Sequence, residues 1–559
     1  MPQFETLRRA WPPRKGVAAG LFALILPLTA GVGPLLTPAP LEAQQEPVTR
    51  FRVSYPANAH EGPITGRVFV MISRTAEREP RLQIGRNGTP FFGRDVEALE
   101  PGGEGIIDET DLGSPLESLS DLPPGEYYVQ GMVNIYSEFR RADGHLVWMH
   151  DDRWEGQAFQ RSPGNLYSDV QKVRLDPGEG FDVALEADHV IPPIEIPEDT
   201  RWVKRFRFQS PMLSEFWGRP IYLGATVLLP RGYESSTISY PVLYRQGHFS
   251  LRPPLGFREG TELYEAWMQD DFPRMIVVTF QHPTPYFDDS YAVNSVNVGP
   301  YGDAFMEELI PRVEERFRII REPWARWLDG GSTGGWESLA LQVFHPDFFG
   351  GVWSYCPDPV TFTNVEGINI YEDGNAFYKV RGWRKVPIVN SRDTDGTMRM
   401  TSRQRNYYEL AKGTRGRSGE QLDIWSAVYG PLGEDGYFKP LFDKRTGEID
   451  PSVAEYWREN YDLLEYMKRN WSWLGPKLVD KIHIYIGDMD TYRLEQPVYD
   501  LEAWMKTTTD PHYPGFFMYG DRKPHCWIGP VTMPERLKEM AMHGLRHMPE
   551  GTTTPWWNY

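Results

Sequence analysis

The chain has 559 residues, 40% of them hydrophobic and 14% aromatic. That is too long for one ordinary domain and too apolar for a disordered chain. Its net charge of −18 gives it no electrostatic reason to bind nucleic acid, whose phosphates would repel it.

The first residues read as a secretory signal. Arg8, Arg9, Arg14 and Lys15 precede the apolar run "GVAAGLFALILPLTAGVG", and "PLEAQQ" then offers cleavage after Ala43. Charged, apolar, then small is the order of an export signal, so 1–43 is expected to leave an exported, periplasmic or extracellular protein. A retained membrane anchor is the competing reading, but the run is short against the roughly 20 apolar residues of a full span. No membrane association is expected after cleavage.

Residues 50–187 carry short runs rich in Val, Ile, Tyr and Phe, such as "GRVFVMIS" and "EYYVQGMVNIY", punctuated by Gly, Pro and Asp. This predicts an all-β, sandwich-like domain. His145 and His150 flank "LVWM" and read as ordinary surface or packing residues. The segment 188–200, "DHVIPPIEIPEDT", has three prolines and no helical periodicity, which predicts a linker. From 201 to 559 near-continuous apolar strands alternate with helical runs, the pattern of a mostly parallel sheet covered on both faces. About 360–478 holds aromatic, helix-like stretches and no strong strand, and is expected to be a helical insertion.

Gly330-x-Ser332-x-Gly334 matches a nucleophile elbow. With 52 glycines in the chain the pentapeptide alone is weak. Its context is stronger, because the strand-like "ARWL" enters it and a helix leaves it with Trp336, Leu339, Ala340, Val343 and Phe344 on one face. A serine hydroxyl needs a base, and in such folds the acid and then the histidine follow the serine. "IHIYIGDMD" ends a strand with two candidate acids, Asp490 and its competitor Asp488; Asp490 is preferred. His525, in the loop after "FFMYG", is the expected base. The oxyanion donors are assigned to the backbone N–H groups of Thr333 and His248, with Phe249 as the neighbouring option. His543 and His547 share a helix face at i, i+4, but no carboxylate joins them, so a surface pair is expected rather than a metal site. His483 reads as a packed strand residue. Neither a metal nor a cofactor is expected.

"YLGATVLLPRGYESSTISYPVLYRQGHF", "LDGGSTGGWESLALQVFHPDFFGG" and the "GDMD…HCW" end resemble the esterase D family of α/β-hydrolases, which includes feruloyl esterases, enterochelin esterases and mycolyltransferases. The resemblance covers about 205–360 and 480–530. It implies an α/β-hydrolase fold with Ser332 as nucleophile, His525 as base and Asp490 as acid. The chain departs from the family at Gln246-Gly247, where His-Gly is usual, and in its insertion and β domain. Cys356 follows the strand after the nucleophile helix and Cys526 adjoins His525, so a Cys356–Cys526 disulfide is expected, two free thiols being the alternative. The expected activity is hydrolysis of a small-molecule or polysaccharide-linked ester. An acyltransferase using the same acyl-enzyme, a peptidase, and a binding protein on a retired scaffold are the alternatives.

Overall fold

Eight strands build the central sheet: β1 (Val203–Gln209), β2 (Tyr222–Leu228), β3 (Val242–Gln246), β4 (Ile276–Gln281), β5 (Arg326–Gly331), β6 (Gly351–Tyr355), β7 (Ile482–Gly487) and β8 (Phe516–Gly520). Their order is β1-β2-β4-β3-β5-β6-β7-β8. Strand β2 runs antiparallel to β1 and β4, whereas β4, β3, β5, β6, β7 and β8 are mutually parallel. The central strands β3, β5 and β6 are almost wholly buried, which explains why they read as apolar runs without alternation. Six parallel strands send their following loops to one end of the sheet, and that end is where such folds bind ligands.

The computed structural model describes residues 48–557, Asn87 apart. The expected signal segment 1–43 lies outside the described residues. Among those described, no helix is long and apolar enough to cross a membrane.

Helix α1 (Thr333–Phe344) follows β5 and is buried along nearly its whole length, packed on β5 and β6 and covered by the insertion helix Leu463–Leu478. The insertion carries the further helices Ser402–Lys412, Gln421–Tyr429 and Pro451–Asn460. It also holds two small hairpins, Tyr378–Arg381 with Arg384–Pro387 and Val389–Arg392 with Met398–Thr401. Four-residue strands of mixed polarity leave no period that sequence could reveal.

The N-terminal region is all β. The strand Thr49–Ser54 lies between Phe181–Glu186 and Gly105–Asp108 in one sheet. A larger, antiparallel sheet is centred on the long strand Gly125–Arg140, paired with Ile64–Ser73. Phe51, Val53, Val68, Val70, Phe92, Val129 and Val133 fill one core between them. His189–Val190 is a short strand of the larger sheet, and 191–200 has no regular structure. The described residues form one compact unit. Arg67 of the β region donates to the Ala411 carbonyl at 3.0 Å, and Asp95 pairs with Arg417 at 2.7 Å.

Candidate active site

The turn between β5 and α1 is built by close approach. A Cβ on Gly334 would run into the Gln246 carbonyl of β3, and one on Gly330 would run into the Gly334 carbonyl. With those positions bare, the chain turns at Ser332, whose φ of 57° and ψ of −122° lie outside the comfortable regions for a side-chain-bearing residue. The Ser332 N–H donates to the Tyr355 carbonyl at 3.0 Å, which ties the turn to β6.

The structure brings three of the expected residues together. Ser332 Oγ lies 3.0 Å from His525 Nε2, and His525 Nδ1 lies 2.7 Å from Asp490 Oδ2. Asp490 is fully buried, and its other oxygen accepts the Tyr492 N–H at 2.8 Å. That leaves Oδ2 directed to the imidazole. With Nδ1–H donating to Asp490, Nε2 is free to accept the serine proton. Asp488 takes no part in this chain of bonds and instead accepts the Arg522 N–H at 2.6 Å in the neighbouring turn. The Tyr492 ring stands edge-on to His525 at 4.9 Å, and its hydroxyl accepts from Arg86 of the β region at 2.7 Å.

Among the described residues, no protein acceptor takes the backbone N–H of Thr333 or of His248; that of Phe249 is equally free. Gly247, with φ of 146°, precedes them. The His248 side chain does more than follow its backbone. Its Nδ1 sits 3.0 Å from Asp288 and 3.2 Å from Asp289. Desolvation by the surrounding loops would lower its pKa, although the side chain is half exposed, but the two carboxylates raise it well above the ordinary imidazole range. Burial in turn pushes Asp289 up to about 7 against the stabilising proximity of His248. Deeper still, burial raises Glu337 well above the carboxylate range and lowers His282 to about 3.

Asp358, in the loop after β6, has no counterpart in the sequence reading. Its Oδ1 lies 3.3 Å from Ser332 Oγ. Its Oδ2 accepts the Tyr291 hydroxyl at 2.6 Å, the Thr333 hydroxyl at 3.2 Å and the Gln421 amide at 3.2 Å. Tyr291 comes from the loop after β4 and Gln421 from the insertion. Only the Pro-flanked "SYCPDP" after an apolar strand could have drawn attention to this carboxylate.

The sulfurs of Cys356 and Cys526 lie at disulfide distance, with Cα atoms 5.0 Å apart. Two groups of three potential metal ligands occur among the described residues: His248 with Asp288 and Asp289, and Cys356 with His525 and Cys526. In the first, His248 Nδ1 hydrogen-bonds Asp288 Oδ1 and lies 3.2 Å from Asp289 Oδ2; in the second, the sulfurs face each other. The expected surface pair of histidines is corrected in one member. His543 is 2% exposed, its Nε2–H donates to the Gly350 carbonyl at 2.9 Å, and its ring packs edge-on to Trp353. The buried face of its amphipathic helix (Met533–His547) accounts for the i, i+4 spacing. His483 stacks on the same Trp353 within β7. A cleft of about 600 Å³ lies elsewhere, lined by Trp154, Arg207, Arg219 and Tyr222 among others. It does not include Ser332.

The mostly parallel eight-stranded sheet and the strand–Ser332–helix turn are those of an α/β-hydrolase fold, and residues 221–411, about a third of the chain, match the family model described as putative esterase. Among particular proteins, the uncharacterized protein YbbA of Bacillus subtilis (strain 168) is 27% identical over 140 residues, 23% of this chain and 54% of that one. The chain thus spans about half the length of the curated relative it matches. Solved structures similar to it include a ferulic acid esterase, at 15% identity and a TM-score of 0.35, covering 61% of this chain and 95% of that one. They also include an S-formylglutathione hydrolase from Agrobacterium tumefaciens, at 12% identity and a TM-score of 0.32, covering 63% and 98%.

Proposed function

We propose that the protein is an exported serine hydrolase that cleaves a carboxylic ester, carried by a small molecule or a polysaccharide, through Ser332, His525 and Asp490. The observation that carries this reading is the continuous series of hydrogen bonds from Ser332 Oγ through His525 to the buried Asp490. In the proposed reaction Ser332 Oγ attacks the ester carbonyl while His525 Nε2 takes its proton. Asp490 holds the ring and favours the imidazolium. The N–H groups of Thr333 and His248 receive the oxyanion. His525 then gives its proton to the leaving alcohol, and water, deprotonated by the same nitrogen, releases the acid and restores Ser332.

A fluorophosphonate probe tests the assignment. The mature protein is expected to begin at Gln44, to gain one adduct on Ser332, and to cleave members of an ester panel; Ser332→Ala should lose both properties. Labelling that persists in Ser332→Ala would overturn the nucleophile. An unprocessed exported chain would overturn the cleavage site.

A further inference from the structure

Proton counting around Ser332 exposes an unmet need. The serine hydroxyl carries one proton, and catalysis commits it to His525 Nε2. Asp358 Oδ1, 3.3 Å from the same oxygen, has Ser332 as its hydrogen-bond partner. Once the proton points to His525, that carboxylate oxygen faces the nucleophile with no donor. Its twin Oδ2 is fully engaged by Tyr291, Thr333 and Gln421, so the carboxylate is held and cannot turn away. Asp358 is 3% exposed, and a buried acceptor without a donor is costly. Burial accordingly raises its pKa, despite the Tyr291 hydrogen bond and the charges of His525 and His248.

We propose that Asp358 Oδ1 is a specificity group that accepts a hydrogen bond from an O–H or N–H donor on the α-carbon of the substrate's acyl group. This rests on Ser332 being the esterase nucleophile. Before attack the carbonyl carbon waits roughly 3–3.5 Å from Oγ, and a donor one carbon further on comes within reach of an atom that itself touches Oγ. The other substituents of the reacting carbon are spoken for. The leaving oxygen must face His525, which protonates it, and the oxyanion must face the backbone N–H groups. The acyl α-carbon is the group left for Asp358. The substrate class is therefore esters of α-hydroxy or α-amino acids.

Phenyl esters of propionic acid, lactic acid and alanine provide a matched set with α-H, α-hydroxyl and α-ammonium on one alcohol. Rates are normalised to hydroxide-catalysed hydrolysis of each ester. The wild-type kcat/KM is expected to favour the lactyl or alanyl ester over the propionyl ester by at least about tenfold, as sites built around a hydrogen bond do. Asp358→Ala should collapse that ratio. Asp358→Asn, which keeps an acceptor but not the charge, should spare a hydroxyl preference more than an ammonium preference. A wild-type ratio near one overturns the proposal, as does a ratio unchanged in Asp358→Ala. So does a preference that instead follows a hydroxyl beside the ester oxygen of the alcohol, read from glycol monoesters against ethyl esters. The wild-type ratio decides the matter even if the variants misfold, and fluorophosphonate labelling of the variants reports whether they fold. If no ester is cleaved, the nucleophile assignment fails with it; if esters are cleaved without preference, only the Asp358 proposal fails.

Discussion

Ser332 holds a positive φ that a side chain makes costly, and it does so because neighbouring glycines remove every Cβ that would block the turn. The two acids after β7 show how one register decides a role. Asp488 caps the Arg522 N–H, while Asp490, two residues on and fully buried, meets His525. Asp490→Asn is expected to reduce kcat by about 10⁴-fold, the scale on which a misoriented imidazole costs a triad. Asp488→Asn should stay within a few-fold, since it loses one exposed turn bond. Steady-state kinetics on one ester separates them; equal losses would reverse the assignment.

Loops after parallel strands converge here, and the loop carrying His525 needs an anchor of its own. It follows β8, the edge strand, which is only partly buried. Cys526, beside His525, meets Cys356 from the loop after the more central β6. A link across 170 residues restrains the unfolded chain and is expected to contribute about 2–4 kcal/mol. Cys526→Ser should lower the denaturation midpoint accordingly and, with His525 as the proposed base, depress kcat more than it raises KM, because it loosens the loop that carries His525 rather than the pocket. Non-reducing peptide mass spectrometry should find the linked pair, and its absence would remove the anchor. The insertion contributes at the same scale, since Gln421 brings its helix to the Asp358 carboxylate.

Across the described residues, burial lowers the pKa of several histidines, His345 among them. Burial lowers His282 to about 3, His483 to about 4 and His543 to about 3. Their unfolded values lie near 6.5, so between these limits the unfolded chain binds more protons. The contribution of these histidines is therefore full above about pH 6.5 and is lost as pH falls toward 3–4, whereas the raised Asp289, Glu337 and His248 act in the opposite sense. Between about pH 7 and pH 4, His543→Gln should lose less of its thermal midpoint than the wild type does; an equal loss would remove His543 from the account. How much of this molecule its sequence reveals follows from the range of each interaction. Alternating apolar runs, the glycine-flanked Ser332 and the order of Ser332, Asp490 and His525 are local patterns or chain order, and they point to a β region, a mostly parallel sheet and an esterase-like turn. The two short hairpins of the insertion carry too few residues for any period to show. Asp358 stayed silent for a different reason. Its partners Tyr291, Thr333 and Gln421 lie on three separate segments, and only packing of the insertion and the post-β4 loop over the sheet's end brings them to one carboxylate. Local chain chemistry determined how the serine is presented; long-range packing, which no short pattern encodes, decided what stands beside it.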